Sequence, residues 1–455
     1  MTLSIYDTKS RQVSQVPMTN GVVHMYCCGP TVYRDAHVGN LRTFLLSDLI
    51  ARTLELGGLK VKLIQNITDV GHMAENLESE DKVLEQAKAE SISPFAIARK
   101  YEERFHTDLA RLNIKPAQGY PRASETMDLI ISSICELIEK NAAYIGSDGS
   151  VYFDAKSLPT YGAISGNKLD ALKPGHRYEY TDDGGKRFHA DWALWKTAGN
   201  RTEMIWDSPW GPGFPGWHIE CTAMSLKYLD KRIDLHVGGI DLRFPHHENE
   251  RAQSNSIIAD EAVGIWVHGE HLLFEGRKMS KSAGNVVHVE DLISRGLDPL
   301  ALRFVLLENR YRSQMDLTWA SLDTAHATLR RMRESMANWG DSTNELEDLE
   351  IKQALETDLD TPRAMQRIRI VEKDKNLAPE EKRAIFNYAD RVLGLDLTRK
   401  IEKAPLPSDL KEILAARDVA RKNKDWAQSD SLRKELESRG LVIKDKADSQ
   451  EWEWS

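Results

Sequence analysis

Between Val22 and Ile67 the sequence changes texture twice, and this stretch restricts the fold more than any other. Val22 to Cys28 (VVHMYCC) has the length and apolar character of a buried strand. Leu41, Leu45, Leu49, Thr53 and Leu56 then fall on one helical stripe, which Gly57-Gly58 stops. Lys60 to Ile67 (KVKLIQNI) reads as a second strand. Strand, turn, helix, strand is a βαβ unit, and phosphates commonly sit at its first turn. That turn, in MYCCGPTVYRDAHVGNLRT, holds a thiol at the strand end and His-Val-Gly-Asn at the helix entrance. Taken alone, it equally admits a core strand followed by a plain loop.

The βαβ texture does not run on unbroken. From about Glu90 to Asn141 the chain reads as helical with mixed charge. From Tyr144 to about Gly216, turn residues and aromatics cluster (SDGSVYFD, PTYGAISG, DWALWKTAG, WDSPWGPGFPGW), which predicts an insertion of short strands and long loops. Alternation returns at Arg232–Val237 (RIDLHV) and the Gly238-Gly239 turn. The reading is one α/β doubly wound parallel sheet interrupted by an inserted domain. After Pro299 the pattern is helical, with Leu322, Ala325, Leu329 and Met336 as core positions. Thr361-Pro362 predicts a helix start with Thr as cap and Pro at the first position. APLPSD (404–409) reads as a linker to a small basic module around Lys411–Arg439. The expected boundaries are 1–120 and 217–310 for the two halves of the sheet domain, 121–216 for the insertion, 311–400 for a helical bundle and 401–455 for the last module.

A chain of 455 residues holds more than one domain. Its net charge of −9 argues against indiscriminate nucleic-acid binding, though not against one RNA met by a local basic surface. No stretch is long and apolar enough for a membrane span, and MTLSIYDTKSRQ lacks the pattern of a signal peptide. The four cysteines (Cys27, Cys28, Cys135, Cys221) are too few for a disulfide scaffold and fit a reduced, cytoplasmic setting.

Three further stretches carry chemistry. In FPHHENERAQS, Pro245 suits a helix start, so His246 and Glu250 share a helix face and can ligate one ion or form a surface hydrogen bond. GWHIECTAM offers Cys221 and His218 as further ligands. Spacing alone does not bring Cys28 to them. In EGRKMSKSAGN, Lys278 and Lys281 lie three apart in a Ser- and Gly-containing loop, which suits closure over a triphosphate or a plain solvated surface.

HVGN after a first strand, paired with KMSKS, resembles the class I aminoacyl-tRNA synthetases. YCCGPTVY, NITDV, DGSVYFD, DWALWK, SPWGPGFPGWHIECTAM, GGIDLRFPHHENE and KMSKSAGN follow the cysteinyl-tRNA synthetase family in the same order. YRSQMDLT and DLDTPRAM extend the resemblance into the helical region. It implies a Rossmann-like catalytic domain with an inserted connective domain, an α-helical anticodon-side region and a small tRNA-reading module. It implies one Zn2+ per chain on Cys28, Cys221, His246 and Glu250, and a substrate thiolate selected by that zinc. Trp217, Gly29 and Thr31 would then contact the amino acid. His37, Gly39, Asn40, Gly238, Gly239, Asp241, Lys278 and Lys281 would serve ATP with Mg2+, with His37, Asn40 and the two lysines as the catalytic set. The class's motif ends in a second histidine where this chain has Asn40. The partners implied are L-cysteine, ATP and tRNA(Cys), acting on a cytoplasmic monomer. Cys27 and Cys135 are left as core residues, His247 as a support for the site, and His218 as a lesser candidate ligand. Trp426, Trp452 and Trp454 stand as RNA-stacking or anchoring residues.

Two other functions compete. A cysteine ligase of mycothiol synthesis shares the catalytic region but needs no tRNA-reading tail. A non-catalytic tRNA-binding homologue would not need an intact KMSKS loop and four zinc ligands.

Overall fold

The computed structural model describes residues 3–71, 81–172, 185–280, 284–401, 407–445 and 450–454. It contains two compact units, Met1–Thr398 and Arg399–Ser455.

In the first unit, β1 (Ser4–Asp7) and β2 (Gln12–Gln15) form an antiparallel hairpin. The βαβ unit follows as β3 (Val22–Cys27), α1 (Val38–Leu56) and β4 (Lys60–Gln65). Helix α1 begins earlier than its apolar stripe suggests, and it is buried on nearly every side. It packs on the sheet with one face and on later helices with the other, so even Arg42, Asp48 and Arg52 lie inside. Leu56, at its end, is only half-buried.

The expected continuous helical stretch from 90 to 141 is broken. Helix α2 (Lys82–Glu90) ends in left-handed Ser91, and α3 (Pro94–Arg111) starts anew from the Ser93 cap. Pro116 and Pro121 then stop regular structure. That segment instead lies along β4, with Gln65 N–H donating to Gly119 O and Ile67 N–H to Pro121 O. Helix α4 (Met127–Glu139) follows. Its buried stripe is Met127, Ile130, Ile134 and Leu137. Cys135 is turned off that stripe and is half-buried, so it is not the core residue expected.

The insertion contributes β5 (Ala143–Ile145), β6 (Val151–Phe153), β7 (Trp192–Thr197) and β8 (Gly213–Pro215), an antiparallel sheet in that order. The α/β pattern resumes with α5 (Trp217–Tyr228), β9 (Ile233–Gly239), α6 (His246–Ile258) and β10 (Val263–Gly269). The main sheet runs β10-β9-β3-β4 and all its neighbours are parallel. The chain leaves β3 toward β4 on one side and returns to β9 on the other. The order in which the chain adds strands therefore reverses between β3 and β9, the crevice where open α/β sheets bind ligands.

Helices cover both faces. Val23, Met25 and Cys27 point into the core that includes α1, while Tyr26 and Cys28 point into the core that includes α5 and α6. The adjacent cysteines are thus on opposite faces, as strand geometry demands.

Strands β11 (Leu272–Phe274) and β12 (Arg277–Lys278) form a hairpin, followed by α7 (Val289–Ser294) and α8 (Leu300–Leu307). Strand β13 (Met315–Leu317) joins β11 in parallel, giving the order β12-β11-β13. The rest of the unit is helical: α9 (Trp319–Asn338), α10 (Leu349–Glu356), α11 (Thr361–Lys373) and α12 (Pro379–Leu393). Leu322, Ala325, Leu329 and Met336 are buried as expected. Thr361 is the first residue of α11 rather than its cap. Asp360 caps instead, its carboxylate accepting from Arg363 N–H.

The second unit pairs α13 (Ser408–Lys422) and α14 (Trp426–Ser438) with a hairpin of β14 (Leu441–Asp445) and β15 (Gln450–Trp454). Ser408 and Asp409 already belong to α13, and the rest of the expected linker lies largely outside the described residues. Trp452 packs on the small core of Leu410, Leu414, Leu436, Leu441 and Ile443, whereas Trp426 is 60% exposed. The Trp454 side chain lies outside the described residues.

Candidate active site

At the carboxyl end of β3 the Cys28 N–H donates to Val237 O, which holds the end of that strand against β9. Helices α5 and α6 pack beside each other on the same face. Cys221 stands one turn into α5, and His246, His247 and Glu250 occupy the first turns of α6. Cys28 Sγ lies 3.9 Å from Cys221 Sγ and 3.4 Å from Glu250 Oε1, which is 2.9 Å from His246 Nε2. All four residues are buried. The structure therefore brings together the four expected ligands.

It adds a second, overlapping set. His236 Nε2 and His247 Nε2 are each 3.4 Å from Cys28 Sγ, so Cys28 and Glu250 belong to two candidate tetrads. His236 was not singled out from the sequence. Its signal was the alternation of RIDLHV: Leu235 and Val237 face the α1 side, so His236 and Gly238 face Cys28. The fit of Gly238 to His247 is tight, since a Cβ there would lie 2.4 Å from His247 Cε1. Gly238 was read as part of the nucleotide turn; its neighbour here is the histidine cluster. Gly239 faces the Asp241 carboxylate and Thr43, and Asp241 itself is exposed.

The histidines outside the first tetrad orient those around them. His218 Nδ1 is 2.9 Å from His246 Nδ1, which leaves His246 Nε2 turned to Glu250. His218 belongs to neither candidate tetrad. His247 Nδ1 meets His268 Nε2 at 2.8 Å, and His268 Nδ1 meets Thr8 Oγ1 at 2.8 Å. Such partners fix ring tautomers around a metal.

The donor set fits a divalent metal. Two buried thiols, an imidazole and a carboxylate match the sulfur, nitrogen and oxygen ligands of zinc. Among the described residues none donates a hydrogen bond to Glu250 Oε2, whose nearest basic neighbour is His236 Nε2 at 3.4 Å, so a cation would offset the cost of burying this carboxylate. Burial, then the neighbouring Cys221, pushes the Cys28 thiol well above its ordinary range. A bound cation reverses that balance.

Around this cluster, the Trp217 ring lies 4.1 Å from the His246 ring. Gly29 N–H donates to Asn66 Oδ1, and Thr31 forms a parallel bridge with Thr68. These three residues border the crevice from the β3 side and the α5 side.

The second centre is the start of α1. His37 caps the helix, its Nδ1 accepting from Asn40 N–H, while Asn40 Oδ1 accepts from His37 N–H. With Nδ1 accepting, Nε2 carries the ring proton. Burial, then the charges of Arg34 and His288, lowers the His37 pKa to about 4, so the ring is a neutral donor near pH 7. Gly39 meets the KMSKS segment directly: a Cβ there would lie 2.8 Å from Met279 Cε. Lys278 ends β12 and is exposed. Asn285 braces the loop, accepting from Ser280 N–H and donating to Lys278 O. Lys281 lies outside the described residues.

Comparison with known proteins follows this geometry. The family model described as tRNA synthetases class I (C) catalytic domain matches residues 14–327. The model described as Cysteinyl-tRNA ligase anticodon binding domain matches residues 403–452. A protein named cysteine–tRNA ligase from Thermus thermophilus is 39% identical over 99% of both chains. The chain belongs to the cysteinyl-tRNA synthetase family.

Other members of the family are similarly related. One named cysteine–tRNA ligase from Treponema denticola is 34% identical over 99% of both chains, and one from Opitutus terrae is 39% identical over 98% of both. The fold is shared more widely. Mycobacterium tuberculosis methionyl-tRNA synthetase in complex with methionyl-adenylate superposes with a TM-score of 0.56 at 15% identity, covering 82% of this chain and 89% of that one. Family and fold make this chain an aminoacyl-tRNA synthetase with a class I catalytic domain. Among the described residues, no helix is long and apolar enough to cross a membrane.

Proposed function

We propose that this enzyme is a cysteine–tRNA ligase that activates L-cysteine with Mg-ATP and transfers it to the 3′ end of tRNA(Cys). The observation that carries the reading is the buried set of Cys28, Cys221, His246 and Glu250 at the switch point of the sheet. Zinc held there supplies a soft Lewis acid that favours sulfur over oxygen and lowers a thiol pKa. A pocket of shape alone separates cysteine from serine poorly.

The chain's own residues do the rest. Trp217 beside His246 walls the crevice, and the Gly29–Thr31 turn borders the amino-acid backbone. The first amides of α1 and the His37 Nε2–H face the phosphates, where the helix dipole favours negative charge. Lys278 and Lys281 of the KMSKS motif would supply positive charge to the same phosphates. The cysteine carboxylate attacks the α-phosphorus, forming a C–O–P bond as pyrophosphate leaves with the bond electrons. A ribose hydroxyl of tRNA then attacks the carbonyl carbon, AMP leaves, and the hydroxyl proton passes to phosphate or solvent. Positioning and charge stabilisation suffice for both steps.

The match of residues 403–452 to an anticodon-binding model favours tRNA over an amino sugar as acceptor. The decisive experiment is charging of tRNA with labelled cysteine by the purified protein and ATP, with serine as control. Cysteine-specific charging is expected. Cysteine-dependent pyrophosphate exchange without charging would favour the amino-sugar ligase, and no exchange would favour a non-catalytic binder.

A further inference from the structure

Arg42 lies on α1, two residues beyond Asn40, and is 6% exposed. Burial pushes its pKa down to about 10, which leaves it charged near pH 7. Its guanidinium donates to five backbone carbonyls. Nη1 reaches Glu270 O (2.7 Å) and His271 O (2.9 Å). Nη2 reaches Arg310 O (3.2 Å), Tyr311 O (3.3 Å) and Ser313 O (2.8 Å).

These carbonyls belong to two segments. One, 270–271, leads into β11; the other, 310–313, leads toward β13. Strands β11 and β13 pair with each other, and β11 carries β12, which ends at Lys278. Glu270 N–H also donates to Tyr311 O, so the two segments form one rim. One planar side chain therefore ties the helix that starts with HVGN to the base of the sheet that carries the KMSKS segment. The contact of Met279 with Gly39 is the far end of the same juxtaposition.

We propose that Arg42 is a positioning residue for adenylate formation, fixing the distance between the α1 N-terminus and β12, which ends at Lys278. The proposal rests on the adenylate-forming reading above. The rigid fork explains the choice of arginine: its donors point in fixed directions to two groups of carbonyls, which an ammonium on one nitrogen cannot satisfy together. Misplacement of reacting groups by about 1 Å is enough to cost on the order of 100-fold in rate.

The test uses the full chain with zinc bound. Cysteine-dependent ATP–pyrophosphate exchange is measured first on the wild type; absence of exchange there refutes the adenylate reading itself. Arg42→Lys and Arg42→Gln are then compared with it for kcat, cysteine KM, zinc content and folding. The expected result is a kcat lower by about 100-fold, with cysteine KM and zinc content within about twofold of wild type. Arg42→Lys, despite keeping the charge, should not rescue kcat. A folded variant with kcat within about threefold of wild type overturns the proposal. So does a parallel loss of kcat, cysteine KM and zinc, or failure of both variants to fold, since each marks a general structural role.

Discussion

Replacing Gly238 with alanine tests how tightly the histidine cluster is built. Gly238 lies in β9 and lacks a left-handed φ, so its backbone accepts any residue and the only cost is the added methyl. That methyl would meet His247 Cε1 at 2.4 Å and Nε2 at 2.8 Å. Carbon atoms pack favourably at about 3.5 Å or more, so the ring must withdraw by about 1 Å. It has little room to do so. His247 is fully buried, hydrogen-bonded to His268, and packed against His236 and Trp266 at ring separations of 4.6 and 5.2 Å. Overpacking costs about 1–3 kcal/mol and disruption of the His247–His268 bond about 1 kcal/mol more, so a loss of roughly 2–4 kcal/mol is expected. The assay is urea unfolding of the zinc-loaded chain followed by tryptophan fluorescence, in a double-mutant cycle with His247→Ala. Without the ring only the 3.2 Å approach to Leu242 Cδ1 remains, so Gly238→Ala should cost much less than in the wild type. An equal penalty in both backgrounds would refute the steric argument.

Other outcomes follow from the same structure. Zinc content should be near one per chain, and Cys221→Ser should weaken metal binding by more than the ~10–100-fold typical of losing an outer-shell partner, as read by chelator competition. Full activity of a metal-free chain would defeat the zinc assignment. Lys281→Ala should slow pyrophosphate exchange by about 100–1000-fold while leaving cysteine KM nearly unchanged; an equal change in both would remove it from the transition state. Glu102 offers a pH test. Burial raises its pKa, but hydrogen bonds from His106, Arg122 and Arg99 outweigh this and hold it at about 2. A depressed folded pKa means stabilisation present above about pH 4.5 and lost as pH falls toward about 2. Glu102→Gln should therefore unfold at lower urea than wild type at pH 7, with the gap closing under acid. A gap constant with pH would show that the carboxylate's charge is not what matters.

The legibility of the site varied with the range of the interaction. His246 and Glu250 could be paired from the sequence because a helix fixes the geometry of residues four apart. Cys27 and Cys28 could be assigned to opposite faces because a strand alternates. Cys28 was linked to Cys221 by motif order and family resemblance, since no local rule spans that separation. His236 was missed although its strand alternation was readable, because nothing local said which face held the cluster. Cys135 was misjudged by one position around its helix. The breaks between 90 and 141 have local signals in Pro94, Pro116 and Pro121, set within an otherwise helical texture.

What the sequence alone determined was local: the βαβ unit, the short-stranded insertion and the helix face shared by His246 and Glu250. These follow from periodicity, breakers and residue chemistry within a few turns of the chain. The tertiary structure alone decided which of six clustered Cys, His and Glu side chains approach one point, why Gly238 abuts His247, and that Arg42 clamps two distant segments. Those contacts join residues separated by up to 271 positions. They arise only when sheet order and helix packing are set, because parallel pairing at the switch point, not sequence proximity, brings strand ends together.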